Sequence, residues 1–180
     1  MIQIYDDIFT EAFRSDLYFL AVSAKYTIGW DDTSVIENRQ YPCLHHTLSK
    51  DKWEQLDLIN RIGDHELRNQ LNELSYASAT INLAVPSSIQ FQHTHTEYKA
   101  FLYYINLDWK NEYYGETLFY DKLGKEIIKA SRFKPGRGIC FDGNIPHSIR
   151  PSAHSAPQYR FTLFAGFNKK NFIEEAKNSS

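Results

Sequence analysis

Apolar and polar positions follow two different rhythms along this chain. In the first half the spacing is helical. Thr10 is placed to cap a helix that runs through Glu11 and Phe13 to about Ser23. Over residues 51–75, Leu56, Ile59, Ile62, Leu67, Leu71 and Leu74 recur at roughly helical intervals, with a break expected near Gly63. Residues 26–48 fit neither period. The second half changes to short β-type runs at 77–85, 88–93, 99–106, 116–121, 126–130, 138–141, 147–150 and 159–167. Turn signals separate them, among them Pro86-Ser-Ser88, Leu123-Gly124, Pro135-Gly136 and Asp142-Gly-Asn144. Short strands with such loops predict a mainly β protein with N-terminal helices. The strand count and loop lengths argue for a sandwich or barrel, and a double-stranded β-helix, or jelly roll, fits them, with the helices on one outer face.

The chain of 180 residues is long enough for one domain, with helical support over about 1–75 and a β-helix core over about 76–168. No repeat or low-complexity segment interrupts it. Twelve Tyr and twelve Phe suit a sheet-rich core. The formal charge of −2 and the lack of a basic run give no reason to expect nucleic acid or an anionic membrane as partner. No window has the apolar length of a membrane span. The acidic start, with Asp6-Asp7, lacks the features of a secretory leader, and Cys43 and Cys140 are too few and too distant for a disulfide framework. A reducing, cytoplasmic compartment is the expectation. Cys140, in an apolar run, is expected as a buried thiol.

Candidate chemistry centres on histidine. His93 and His95 lie two apart where a β-run ends, so both rings point to one side of the strand. Two imidazoles so placed can grip one cation, and His147, after the turn at Pro146, is the natural third ligand. His45, His46, His65 and His154 fall in loop or helix contexts and are expected to be ordinary polar histidines. Arg160 opens a strongly apolar strand. Facing inward, it would need an anion, and its planar fork suits a carboxylate.

In this order the motifs resemble the Fe(II)/2-oxoglutarate-dependent dioxygenases of the prolyl-4-hydroxylase-like superfamily. The matching pieces are His93-Thr-His95, Tyr104-Ile-Asn106 with Trp109, Gly115-Glu-Thr117, Pro135-Gly-Arg137 leading to Phe141, Pro146-His147, and Arg160. They span about residues 81–167. The resemblance implies Fe(II) as metal, 2-oxoglutarate and O₂ as cosubstrates, and hydroxylation as the default reaction. It implies His93 and His147 as ligands, Arg160 as the holder of the distal carboxylate, and Tyr104, Thr117 and Thr162 as cofactor-binding helpers. One position departs from the pattern. The family's second ligand is a carboxylate, and His95 stands there. We expect the set His93, His95 and His147, with Glu97 as the alternative second ligand. Three neutral ligands also open two other functions: a three-His metal oxygenase that uses no 2-oxoglutarate, and a non-catalytic jelly-roll binding module. The substrate, a small molecule or peptide, and the oligomeric state are not legible. Residues 26–48, with Trp30, Arg39, Tyr41, His45 and His46, and residues 110–114 are candidate lids.

Overall fold

The strand Arg160–Lys169 is buried along its first eight residues, so both of its faces must be covered. The computed structural model, which describes residues 1–29, 43–88, 90–95, 97–156 and 159–170, shows how. The elements in chain order are β1 (Ile2–Tyr5), α1 (Glu11–Ser23), β2 (Thr27–Ile28), β3 (Leu44–Thr47), α2 (Lys50–Leu56), α3 (His65–Asn72) and β4 (Leu74–Ala84). Then come β5 (Lys99–Tyr104), β6 (Thr117–Tyr120), β7 (Ile127–Ser131), β8 (Gly138–Asp142), β9 (His147–Ile149) and β10 (Arg160–Lys169). The larger sheet has the order β1-β8-β5-β10-β4-β3-β2, and the smaller has β7-β6-β9. All pairings are antiparallel. The expected double-stranded β-helix is the fold. The lid candidates Trp30, Arg39 and Tyr41, and residues 171–180, lie outside the described residues.

Alternation along the strands divides the core in two. From β10, Phe161, Leu163, Ala165 and Phe167 join Phe101 and Tyr103 of β5 in the cluster that the helices cover. Phe13, Leu17 and Ala21 are the buried stripe of α1 in that layer, and the Thr10 hydroxyl caps the helix by accepting from the Phe13 N–H. The opposite parity, with Leu102, Tyr104 and Phe164, packs between the sheets against Phe119, Phe133 and Phe141. Arg137, in the Pro135-Gly-Arg137 entry to β8, donates its Nε to Asp6 at 2.6 Å, which ties the end of β1 to that turn.

Several elements differ from the expected pattern. The helical stretch 51–75 is two short helices. Asp57 turns left-handed at φ 45° after α2, and Asp64 caps α3 by accepting from the Leu67 N–H at 2.9 Å. Leu74 and Ser75 belong to β4, because their backbone pairs with Lys169 and Asn168. The first half is less helical than expected. It contributes β1 and β2 at the two edges of the larger sheet, and β3 beside β2, all too short to show a period of their own. Among the described residues of the run expected at 88–93, His93 alone pairs, as a single bridge. Ser87, at φ 63°, gives its N–H to the Ser152 carbonyl and turns the chain. No helix among the described residues is long and apolar enough to cross a membrane.

Phe101 is fully buried where β5 meets the helices. Phe101→Ala is expected to lower stability by about 3–5 kcal/mol, read as a shifted denaturant midpoint with an unchanged slope.

Candidate active site

His93 and His147 face each other as a backbone pair. Each N–H donates to the other's carbonyl at 3.0 Å, so His93 extends the smaller sheet beyond β9. Partners of this type project their side chains to the same side of a sheet, here into the space between the sheets. His95 follows two residues later, held by its N–H on the Gly143 carbonyl at 2.8 Å. The ring centroids of the three histidines lie 4.3–5.1 Å apart. One ligand atom from each lies within 4.8 Å of the others, close enough for small side-chain rotations to bring all three onto one cation.

Two rings are pinned by aromatic neighbours. His95 stacks on Phe164 at 4.1 Å, and the Phe141 ring meets His147 at 4.9 Å. Glu97 is not a member of the cluster. Its carboxylate accepts from the Ser78 hydroxyl at 2.9 Å and lies over Gly166, where a side chain would collide with it. The structure therefore brings together His93, His95 and His147, and places Glu97 elsewhere.

The three rings are poised to bind as neutral donors. The Phe91 and Ile145 carbonyls stand 3.2 Å and 2.9 Å from Nδ1 of His93 and His147. A carbonyl can only accept, so Nδ1 carries the hydrogen and Nε2 keeps its lone pair. Burial pushes the basicity of His93 down. Burial, then the neighbouring His93, brings His95 to about 3. Burial and both neighbours hold His147 well below the usual range.

Arg160, 1 % exposed, is buried behind Thr117, a residue that faces the histidines across the same space. Its Nε donates to the Gly115 carbonyl at 2.9 Å, and its guanidinium lies over the Phe133 ring at 4.6 Å. Gly115 makes this approach possible. It sits at φ 86°, and a Cβ there would come within 3.2 Å of the Arg160 side chain. Burial lowers the guanidinium to about 10, which leaves it charged at neutral pH. Among the described residues no carboxylate lies within ion-pair distance of Arg160, and Glu116 is drawn toward Arg150 at 3.7 Å instead. Tyr104 gives its hydroxyl to Thr117 at 2.8 Å, and Thr117 in turn accepts from Arg160 at 3.4 Å. The Thr162 hydroxyl is buried and has no hydrogen-bond partner among the described residues. A buried cation and a bare hydroxyl two residues apart on one strand face can both donate to an anion.

The cavity over these groups has a volume of about 140 Å³. The five histidine and threonine positions expected at the site, His93, His95, His147, Thr117 and Thr162, all line it. Arg160 and Tyr104 lie beneath. His65 and His154 lie outside it, as expected, and His46 turns to the other face of β3, against Tyr26. His45 was expected to be an ordinary polar histidine, yet it lines the cavity with Asn82 and Thr80. Only the pairing of β3 with β4 puts them there. The segment 110–114, the other candidate lid, makes a single turn at Asn111–Tyr113 anchored by Trp109, whose indole N–H donates to the Tyr114 carbonyl at 2.9 Å.

No protein-family model matches the chain, and no curated protein matches its sequence. Solved structures do match its fold. It is similar to a prolyl hydroxylase from Trichoplax adhaerens in complex with a hypoxia-inducible-factor peptide fragment, with a TM-score of 0.67, 15 % identity, and coverage of 99 % of this chain and 87 % of that one. It is also similar to a Pseudomonas putida prolyl-4-hydroxylase, with a TM-score of 0.62, 13 % identity, and coverage of 93 % and 92 %. HygX from Streptomyces hygroscopicus, with nickel and 2-oxoglutarate bound, gives a TM-score of 0.67 at 9 % identity over 95 % of this chain and 84 % of that one. At these identities the likeness establishes a shared β-helix fold.

The depressed ring basicities have a measurable consequence. A ring of ordinary pKa loses about 30-fold in metal affinity between pH 7 and pH 5, because protons compete for the lone pair. Rings that are already bare lose little. Zn(II) affinity measured by calorimetry should therefore change by less than about tenfold over that range. His95→Ala should weaken it by about 100-fold or more, while Glu97→Ala should leave it nearly unchanged.

Proposed function

We propose that this protein is a non-haem Fe(II)- and 2-oxoglutarate-dependent oxygenase that hydroxylates its substrate. One observation carries the reading. Three bare imidazoles line a cavity together with Thr117, and Thr117 accepts from a buried guanidinium that has no carboxylate within ion-pair distance among the described residues. A chelating keto-acid needs a metal at one end and a cation at the other. The Thr162 hydroxyl, without a hydrogen-bond partner among the described residues, is a second point of fit.

In this reading His93, His95 and His147 hold the metal through nitrogen. Arg160 takes the distal carboxylate of 2-oxoglutarate, helped by Thr162 and Thr117, and Tyr104 fixes the Thr117 hydroxyl in place. Iron, 2-oxoglutarate and O₂ together would supply the oxidising power. The chain contributes position and shelter. Phe141, Phe164 and Leu102 wall the cavity, exclude water and strengthen the pull of Arg160 on an anion. Cys43 and Cys140 are buried free thiols, in keeping with a reducing compartment such as the cytoplasm. The substrate would be a small molecule or a peptide, the latter by analogy with the Trichoplax enzyme and its peptide.

His95 favours a second reading, an oxygenase that consumes O₂ on three histidines without a keto-acid. Succinate separates the two. Anaerobic Fe(II) addition should give a visible charge-transfer band only when 2-oxoglutarate is present, and O₂ should then release succinate. Oxygen uptake without succinate would select the second reading. Arg160→Ala should weaken 2-oxoglutarate binding by about 100-fold, the scale of a lost buried, charge-assisted pair, and an unchanged affinity would remove Arg160 from the site.

A further inference from the structure

A single polar rung crosses the larger sheet on its cavity side. Tyr104 of β5 pairs with Thr162 of β10, Thr162 with Asn82 of β4, and Asn82 with His45 of β3. The next rung along the same face, Leu102, Phe164, Thr80 and Thr47, is half apolar. The Tyr104–Thr162 half of the polar rung stands with Arg160 and is used by the cosubstrate in the reading above. The Asn82–His45 half lines the cavity and has no role in that reading. The side chains of Asn82 and Thr80 hydrogen-bond nothing among the described residues. Hydrogen-bonding groups that face a cavity from the middle of a sheet, rather than from its rim, point to a ligand.

Charge narrows the kind of ligand. A divalent metal on three neutral rings, together with Arg160 buried behind Thr117, brings three positive charges close together, and the nearby Glu116 is already shared with Arg150. Doubly charged 2-oxoglutarate leaves one positive charge over. A carboxylate ligand in place of His95 would remove it, but here no carboxylate is in the cluster, and Glu97 is occupied by Ser78. No acidic residue lines the cavity among the described residues. Burial pushes the Cys43 thiol up to about 11, so it adds no negative charge. An enclosed, uncompensated charge is costly and draws an opposite one.

We propose that the substrate carries a carboxylate-type oxyanion and seats it on Asn82, with His45 and Thr80 beside it, where it balances the charge that His95 leaves on the metal. This rests on the three-His, 2-oxoglutarate reading and adds a substrate class to it. Asn82 is then a specificity-determining residue, and His95 sets substrate charge as well as metal binding.

The test uses the whole protein loaded with Zn(II) and saturated with 2-oxoglutarate, and therefore needs no turnover. Propionate and its uncharged isostere propionamide are titrated separately. The side-chain amide resonances of Asn82 are followed by nitrogen-15 NMR, and 2-oxoglutarate affinity is measured alongside. Propionate should shift the Asn82 resonances and bind about tenfold more tightly than propionamide. His95→Asp, which cancels the extra charge, should bring the two probes to within about twofold of each other. Asn82→Ala should weaken propionate more than it weakens 2-oxoglutarate. Equal affinities in the native protein would overturn the proposal. So would propionate that displaces 2-oxoglutarate without disturbing Asn82, or a preference that survives His95→Asp. Failure of 2-oxoglutarate itself to bind would overturn the cosubstrate reading and this one together, whereas normal 2-oxoglutarate binding with no preference for propionate would remove this one alone.

Discussion

The alternation of side chains along β10 is the constraint on which the rest of this molecule depends. The strand lies between β5 and β4 and is covered on both faces. Every second residue must therefore enter one of two closed spaces. Phe161, Leu163, Ala165 and Phe167 supply apolar surface to the helical layer. Arg160, Thr162 and Phe164 go the other way, and a cation buried there has no water to turn to. Both the core and the anion seat follow from one strand with a period of two. A one-residue slip would send Arg160 into the helical core and Phe161 into the cavity.

Metal-site geometry is as much a matter of backbone as of side chain. His93 and His147 are 54 places apart in the chain but adjacent through two reciprocal backbone hydrogen bonds. Those bonds hold both ring attachments at a spacing that is a property of antiparallel sheets rather than of histidine. His95 depends on a separate anchor, the Gly143 carbonyl, and on the face of Phe164. Burial that keeps these rings neutral also concentrates positive charge once a cation arrives. The same low-polarity surroundings strip the rings of protons and lower the basicity of Arg160 without discharging it at neutral pH, so an anion beside it is favoured.

Much of this was legible in the sequence, for reasons that are local. The helix at Glu11–Ser23 was readable from its Thr10 cap, and most of the central strands from short apolar runs between glycine and proline turns. His93 and His95 could be grouped because two residues make one strand period, and Arg160 was conspicuous as a charge in an apolar strand. The short strands β1, β2 and β3 were not readable, because two to four residues carry too little pattern. His45 escaped for the same reason. Its importance lies in standing opposite Asn82, which is a fact about pairing.

The sequence by itself determined the types of group available and the faces of the strands on which they could stand. That was sufficient for a β-helix, a histidine cluster and a buried arginine. It left the choice between His95 and Glu97 open, since both lie on the same parity two residues apart. Tertiary structure decided it. Ser78 and the bare surface of Gly166, on β4 and β10, receive Glu97 away from the cluster, while Gly143 and Phe164 hold His95 within it. Contacts between strands distant in the chain depend on register and packing, and neither is written in the period of any one strand.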